Sequence, residues 1–515
     1  MRIPLGRLTL PAITLLAATL VGGALSMPAH AETGNPEPTA STDAAADALD
    51  QVQSILADPA AADADGRDLT LALRDLRIRQ DQLSRTDRAQ ASRLLSRPPQ
   101  VYGWTNEQTR AFGDNVLVHW DNGQATSDFV NDAGNVAEHV LATYKAAGYR
   151  APMPDGTAGG DSRLDIYLVD FSAAGQQGLY GFCDGSVAPP RNGPYNTPAY
   201  CAFDHNFSSF PALTPAQNLR VTAAHELFHA TQFAYDYYED AWFMEATATW
   251  AEDEVYDDIN DNRQYLPLSP LAQPRQSLDQ FNSSSLRQYG EWIFFRYLSE
   301  RFSKSQGGLP VIVRRIWQRA DSTRGTQHDL YSIRAVSKEL ASQGTDLRRV
   351  YAQFGDANRR PARAYEEGSH YRAAGAAHTW TFTPRSHDTR WKTSRVDHLA
   401  TSTLAVKPSA SMKRWRLRVQ VDLPNRASGV AAIVTRYDAK GRPSSKLVKL
   451  SKSGNATMRL PFDSRHLTRV DVTLSNAGIR YARCFSGPVD GVSYSCSGVP
   501  KDDNRPMRYR ISAIR

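Results

Sequence analysis

The sequence predicts an α+β fold, a mixed or antiparallel sheet with long helices, followed by an all-β sandwich. In residues 100–372, β-branched and aromatic runs such as "RLDIYLVDF" are followed by stretches whose apolar residues recur at helical spacing. In residues 379–515 that spacing stops, and short alternating runs such as "RWRLRVQVDLP" and "NATMRLPF" are separated by turn residues. This change of pattern predicts two domains, of which the second is a sandwich.

The first 31 residues have the pattern of a secretory signal peptide. Arg2 and Arg7 precede an apolar stretch, and "AHA", which ends at Ala31, fits the small-residue cleavage rule. The alternative is an uncleaved membrane anchor, but prolines and glycines interrupt the stretch. No later segment approaches the roughly 18 uninterrupted apolar residues that a spanning helix needs. We therefore expect a secreted, extracellular protein without a stable membrane anchor.

Residues 32–99 form an N-terminal segment with two different residue patterns. Its beginning is poor in large apolar residues and is expected to be mobile. Further on, Leu69, Leu73 and Leu76 recur at helical spacing, and a second short helix should end before Pro98. The segment is either a propeptide or a small N-terminal part of the mature fold.

The charge of the chain argues against a nucleic-acid partner. The formal net charge is +6 over 515 residues, of which 22% are charged. No dense lysine and arginine run with interleaved aromatic residues is present, which is the usual electrostatic footprint of nucleic-acid binding.

The four cysteines fall into two local pairs, Cys183 with Cys201 and Cys484 with Cys496. Four cysteines allow three pairings, and proximity in the sequence favours the two local disulfides. Disulfides agree with an oxidising compartment. Neither pair has CxxC spacing, so we expect neither a thiolate zinc site nor a redox centre.

A metal-binding pattern lies in "TPAQNLRVTAAHELFHATQF". Thr214 is predicted to cap this helix, with Pro215 at its first position. His225 and His229 are four residues apart, so both can direct an imidazole at one ion. Glu226 would lie beside them, able to hold a metal-bound water without ligating the metal. A catalytic zinc needs three protein ligands and an open position, so a third ligand must come from elsewhere.

A second helix, "AWFMEATATWAEDEV", follows closely and carries Glu245. Ala246 and Ala248 come just after Glu245. Small residues at these positions allow two helices to approach closely, which would bring the Glu245 carboxylate to the histidines of the first helix.

HExxH followed on a second helix by W-x-x-E-A-x-A resembles the gluzincin zinc metallopeptidases, such as the thermolysin and aminopeptidase N types. "HELFHATQFAYD" with "WFMEATATWAEDEVYDD" is more closely similar to a group of secreted bacterial proteins classed as metalloproteases, which also have a β-rich C-terminus. The similarity covers roughly residues 100–370. It implies a metalloprotease domain with one catalytic Zn²⁺, His225, His229 and Glu245 as ligands, and Glu226 as general base.

The connection between His229 and Glu245 is shorter than in the best-known gluzincins, which leaves an alternative for the third ligand. Glu252 shares a helix face with Glu245 and could ligate the metal in its place. Glu252 could instead accept a hydrogen bond from a ligand histidine, the role that we favour, or lie on a solvated face.

Peptide hydrolysis also needs a donor for the developing oxyanion. The resemblance suggests Tyr289, in "RQYGEWIFF", because gluzincins often place a tyrosine or histidine downstream of the ligand helix. Tyr235, Tyr237 and Tyr238 are rivals, and Tyr289 could equally be a packed core residue. The run "GLYGFCDG" is either a sheet edge that pairs with an extended peptide or an ordinary strand.

An acidic run after the second helix could bind calcium through Asp257, Asp258 and Asp261. Its spacing matches no EF-hand loop, and a solvated acidic turn is the alternative.

These patterns together predict a secreted zinc-dependent endopeptidase that acts on protein or peptide substrates. The alternative is a catalytically inactive relative that binds a partner through its C-terminal β-domain. The presence of His225, Glu226, His229 and Glu245 argues against that alternative, since an inactive relative is free to lose its general base. A zinc enzyme for N-terminal amines or cell-wall peptides is a third hypothesis, but we find no acidic clamp for an amine upstream of His225.

Overall fold

The structure is a computed structural model that describes residues 42–57, 69–190, 192–324, 329–485 and 492–515. It confirms the mixed α and β composition of the predicted class. The predicted signal peptide, 1–31, lies outside the described residues. Among the helices described, none combines the length and the apolar character needed to cross a bilayer.

The described chain begins with a layer of four helices. Helical structure starts at Thr42, inside the stretch expected to be mobile, because Ala45, Leu49 and Val52 give its first helix a buried apolar face. Ser84 caps the third helix by accepting a hydrogen bond from Asp87 N–H. The four helices are α1 (Thr42–Ala57), α2 (Thr70–Arg79), α3 (Arg85–Leu94) and α4 (Pro98–Val101).

A mixed five-stranded sheet follows, with the strand order β1-β2-β3-β5-β4. The three inner strands are parallel, and both edge strands are antiparallel to their neighbours. The Cys183–Cys201 disulfide joins the edge strand β4 to β5, as predicted. The strands are β1 (Glu107–Phe112), β2 (Val116–Asp121), β3 (Leu164–Val169), β4 (Gly181–Gly185) and β5 (Ala199–Asp204).

Helices cover both faces of this sheet. Along β3, Ile166 and Leu168 belong to the main core, whereas Tyr167 and Val169 pack with the four N-terminal helices. The N-terminal segment is therefore a structural layer that buries one face of the sheet. On the other face lie α5 (Ser127–Ala146), α6 (Pro215–Phe233) and α7 (Ala241–Val255).

A further helical region continues the main core beyond α7. It packs around large fully buried side chains that include Trp250, Trp292 and Trp317. Its elements are β6 (Phe281–Asn282), α8 (Arg287–Gly290), α9 (Trp292–Arg301), β7 (Ser305–Gln306), β8 (Leu309–Pro310), α10 (Val311–Trp317), α11 (Ser332–Ser342), α12 (Leu347–Ala357) and α13 (Pro361–Ala364).

The C-terminal part contains a four-stranded and a five-stranded sheet, which enclose one hydrophobic core. The sheet orders are β10-β20-β12-β15 and β14-β13-β16-β11-β9. Their strands are β9 (His378–Phe382), β10 (Lys392–Val396), β11 (Ala400–Pro408), β12 (Trp415–Asp422), β13 (Val430–Asp438), β14 (Pro443–Leu447), β15 (Asn455–Phe462), β16 (Leu467–Asn476) and β20 (Arg505–Ile514); the short strands β17 (Tyr481–Ala482), β18 (Val492–Ser493) and β19 (Val499–Pro500) lie between β16 and β20.

The return segment, the name used here for 477–504, is described at 477–485 and 492–504, and these residues leave the sandwich and pack against the helical region. Its strand β18 pairs with β6, and the Cys484–Cys496 disulfide closes a loop within it, as predicted. The backbone N–H of Cys496 donates to the Asp240 carboxylate at the start of α7, at 2.8 Å. The two parts of the chain are thus joined by buried polar contacts.

A buried ion pair also crosses this junction. His398, just before β11, lies 2.8 Å from the Asp279 carboxylate and 3.0 Å from that of Asp503. Burial opposes the charged imidazolium, but the two carboxylates outweigh burial and raise the pKa of His398 to about 9. Burial would raise the pKa of Asp279, but His398 and the hydrogen bonds from Tyr481 and Ser495 outweigh it and lower that pKa.

This pair should make the stability of the chain depend on pH. Because the pKa of His398 is higher in the folded chain than its ordinary value of 6.5, its contribution is complete below pH 6.5 and is lost as the pH rises through about 9. The Asp279 contribution is complete above its ordinary pKa of 3.8 and is lost as the pH falls through the lower folded value.

We expect His398→Gln to lower the free energy of unfolding by about 3 kcal/mol at pH 6, and by less than about 1 kcal/mol at pH 9.5. Urea unfolding of the metal-free wild type and variant at both pH values would measure this difference. An equal difference at both pH values would show that His398 contributes through packing and not through its charge.

Candidate metal centre

The helix α6 positions the first part of the site. Thr214 caps its start and Pro215 lies in the first turn, as predicted, and Gln217 completes a reciprocal capping box with Thr214 that was not predicted. From Asn218 onward most of its residues are buried between the sheet and α7. The helix therefore holds His225, Glu226 and His229 inside the protein rather than on its surface.

Three side chains from α6 and α7 converge. The Nε2 atoms of His225 and His229 are 3.1 Å apart. The carboxylate of Glu245 lies 3.2 Å from His225 Nε2 and 3.6 Å from His229 Nε2. All three residues are buried, and these ligand atoms form a group that could hold a metal ion. The structure thus brings together the three residues predicted as ligands.

The donor set fits a tetrahedrally coordinated ion such as zinc. Ligand atoms about 2.0–2.1 Å from a tetrahedral zinc are about 3.3 Å from one another. The two Nε2 atoms, 3.1 Å apart, and Glu245 Oε2, 3.2 Å from His225 Nε2, are near that spacing, and the other carboxylate oxygen, Oε1, lies 3.6 Å from His229 Nε2. The Oε1 atom of Glu245 is buried and has no hydrogen-bond partner among the described residues. Two imidazoles and a carboxylate suit zinc, and other divalent transition metals accept the same donors.

The outer nitrogens of both histidines are held by acceptors. The Nδ1–H of His225 donates to Glu252 at 2.6 Å, and the Nδ1–H of His229 donates to the Gln232 side-chain oxygen at 2.7 Å. Gln232 is fixed in turn by donating to Met244 O at 2.9 Å. Because the acceptors occupy Nδ1, each imidazole presents its Nε2 lone pair to the shared centre.

These contacts separate the roles of the α7 carboxylates. The structure places Glu252 behind His225 rather than in the converging group, which is the arrangement that we favoured over direct ligation. The contact between Gln232 and His229 was not predicted from the sequence. The spacing of three residues on one helix, which places the two side chains on the same face, could have indicated it. Burial raises the pKa of Glu252 to about 7, and the hydrogen bond from His225 opposes that rise.

A small cleft borders the group on one side. It has a volume of about 40 Å³, and His225, Glu226 and Glu252 lie on its wall. The remaining lining side chains come from the residue directly before β4, from the first half of α6 and from the chain after α7. They are Tyr180, Val221, Thr222, Asp261, Tyr265 and Tyr289. Three tyrosines are therefore on the wall with His225, of which Tyr265 and Tyr289 are buried and Tyr180 is half-buried.

Tyr289 lies at this wall, with its ring centre 5.8 Å from that of His225 and 5.0 Å from that of Tyr265. Of its rivals, Tyr235 accepts a hydrogen bond from Arg150 N–H, and Tyr237 donates to Asp184. None of the three rivals, Tyr238 included, borders the cleft. Tyr265, which also borders it, was not anticipated from the sequence.

Glu226 contacts the N-terminal helical layer. Its carboxylate accepts a hydrogen bond of 3.1 Å from the Thr70 hydroxyl, at the start of α2. That hydroxyl in turn accepts the backbone N–H of Cys183 on the edge strand β4, at 2.9 Å. No pattern in the sequence indicates this contact, because 156 positions separate Thr70 from Glu226.

The carboxylates of the acidic run after α7 do not come together around one point. Asp257 and Asp258 are exposed. Among the described residues, the His225, His229 and Glu245 group is the one set of three or more ligand side chains close enough to share an ion. The suggested calcium site therefore has no support in the geometry.

No protein-family model and no curated protein matches the chain. Similar solved structures include the pre-peptidase C-terminal domain of a Bacillus anthracis collagenase, with 6% identity and a TM-score of 0.16, covering 27% of this chain and 97% of that one. Another is a periplasmic inhibitor of g-type lysozyme from Aeromonas hydrophila, with 10% identity and a TM-score of 0.15, covering 27% and 96%. Likenesses this weak carry no argument about function.

Proposed function

We propose that this chain is an exported zinc-dependent endopeptidase with His225, His229 and Glu245 as the metal ligands. The observation that carries the proposal is the convergence of two imidazole nitrogens and a carboxylate within 3.1–3.6 Å, beside a cleft that Glu226 also lines. When bound, zinc would supply a Lewis acid that polarises a carbonyl and acidifies water.

The proposed role of Glu226 is proton transfer. A carboxylate next to the ligand pair can take a proton from the attacking water and return it to the leaving amine. Its burial in a cleft lined with tyrosines strengthens such electrostatic interactions, because little water is present to screen them. Tyr289, on the same wall, would donate its phenolic hydrogen to the developing oxyanion.

The edge strand β4 supports a peptide as substrate. An edge strand presents backbone N–H and C=O groups that can pair with an extended chain. β4 precedes α6 in the chain and contacts it, and its Cys183 N–H bonds to the same hydroxyl that reaches Glu226. A peptide paired along this strand would therefore pass the proposed general base.

Mass spectrometry of a mixed peptide library incubated with the zinc-loaded chain tests this proposal. We expect internal cleavage that a chelator abolishes and that added zinc restores. If the chain binds zinc and cleaves nothing in a broad library, the endopeptidase proposal is wrong and the inactive-relative hypothesis replaces it. Release of single N-terminal residues would instead indicate an aminopeptidase.

A further inference from the structure

The helix α2 covers the candidate site from the side of the sheet edge. Its residue Thr70 is fully buried between β4 and α6. A second, very small cavity of about 20 Å³ has Leu71, Ala72 and Arg74 on one wall, and Glu245 and Tyr289 are among the residues of the other. The first turns of α2 thus lie directly across from a proposed metal ligand and the proposed oxyanion donor.

The Thr70 hydroxyl makes the two contacts that a peptide backbone would make at this place. It accepts the outward N–H of Cys183 on the sheet edge, as the carbonyl of a paired peptide would. It donates to the Glu226 carboxylate, a position that the attacking water needs when Glu226 acts as base. While Thr70 holds both, the Cys183 N–H and the Oε2 atom of Glu226 are occupied, and a peptide paired along β4 would have to displace the hydroxyl.

Further contacts fix α2 in this position. Arg77 donates to the Asp184 carboxylate, which is next to Cys183 on β4, at 3.0 Å. Arg74 donates to the backbone carbonyl of Glu239 at 2.8 Å, just before α7. On its other side, α2 contributes Leu73 to the apolar layer against the sheet. The helix is therefore held to both the edge strand and the region of the ligand helix.

We propose that α2 is an intramolecular inhibitor of the metal centre, with Thr70 standing where an extended peptide would bond to β4 and Glu226. An extended peptide can then pair with β4 and reach Glu226 along it only when α2 leaves the edge strand. The inference rests on the proposed function for its substrate, but the closure of the centre by α2 is a property of the fold and can be measured without any substrate.

Thr70→Val tests the closure, because it keeps the shape of the side chain and removes the hydroxyl. A hydrogen bond to a charged group typically changes an equilibrium by about 10- to 100-fold, so α2 should open more often by at least about tenfold. If α2 closes the centre, easier opening should raise the rates of zinc binding and of zinc loss to excess chelator together, which leaves the zinc dissociation constant unchanged.

Thr70→Ser keeps the hydroxyl and should behave like the wild type. Thr86→Val, on the exposed face of α3, is the matched control and should change neither rate. Leu73→Ala loosens the packing of α2 without touching the site and should change both rates in the same direction as Thr70→Val. It replaces Thr70→Val if that variant fails to fold.

Unchanged rates in Thr70→Val, or a rise in zinc loss alone with weaker binding, would overturn the inference. In the peptide assay we expect Thr70→Val to raise kcat/KM by about tenfold or more. A fall in kcat/KM with unchanged zinc rates would show that Thr70 positions Glu226 for catalysis, and the inference would be wrong. If both zinc rates rise and no variant cleaves peptides, the closure stands and the proposed function fails.

Discussion

Glu226→Gln should bind zinc as tightly as the wild type and lose peptide hydrolysis by about 10²–10⁴-fold, the usual contribution of a positioned general base. The amide has nearly the same size and can still accept the hydrogen bond from Thr70, so the helix and α2 should stay in place. What the change removes is the capacity to take a proton. Zinc content and kcat/KM, measured on the same preparation, would separate the two effects.

Two other variants serve as comparisons for Glu226→Gln. His225→Ala should lose zinc along with activity, because it removes a ligand nitrogen. Glu254→Gln should keep both, because Glu254 faces Arg296 and does not line the cleft. If Glu226→Gln cleaves peptides as fast as the wild type, α6 carries a structural metal site and hydrolysis, where it occurs, is carried out elsewhere.

Glu245→Ala should lose most of its zinc, and should weaken zinc binding more than any change behind the histidines. The reason is that Glu245 supplies one of the three converging ligand atoms, whereas Glu252 and Gln232 contact only the outer histidine nitrogens. Loss of such an outer partner typically costs about 10- to 100-fold in metal affinity. Competition with a chelator of known affinity would rank the variants Glu245→Ala, Glu252→Ala and Gln232→Leu.

The opposite ranking would reassign the third ligand. If Glu252→Ala loses its zinc and Glu245→Ala keeps it, the imidazole of His225 must turn to present its other nitrogen. Equal and small losses in both variants would mean that the two histidines hold the ion with a ligand outside α7.

Patterns with strong periodicity could be predicted from the sequence. The second ligand helix was expected from Ala241 to Val255, and the structure has it at those residues. The cap and first turn of α6 followed from Thr214 and Pro215 in the same way. Apolar residues at helical spacing and a good cap determine such elements locally, so distant contacts are not needed to predict them.

Two exposed edge strands could not be predicted from the sequence. β1 and β9 carry mostly polar or exposed residues, so neither shows an apolar run or a clear alternation. Their strand structure comes from pairing with β2 and β11, and not from their own composition. β-propensity depends on such neighbours more than helix propensity does.

The distant partners of the site could not be found from the sequence either. Thr70 is a single hydroxyl at the start of a modest helix, and only tertiary packing brings it to Glu226. The return segment, rich in glycine and serine, has no periodicity that would place it on the helical region. Its two cysteines predicted a local loop, but not what that loop would touch.

The bond from Cys496 to Asp240 sets an order of events during synthesis. Asp240 stands at the start of the helix that carries Glu245, and 256 positions separate it from its donor. A chain that emerges from its N-terminus makes α6 and α7 long before residue 496 exists. Contacts between residues so far apart in the sequence form slowly, because a long loop must close before the contact can stabilise the chain. The residue at the start of the ligand helix therefore gains this partner only after residue 496 has been made, 256 positions later in the chain.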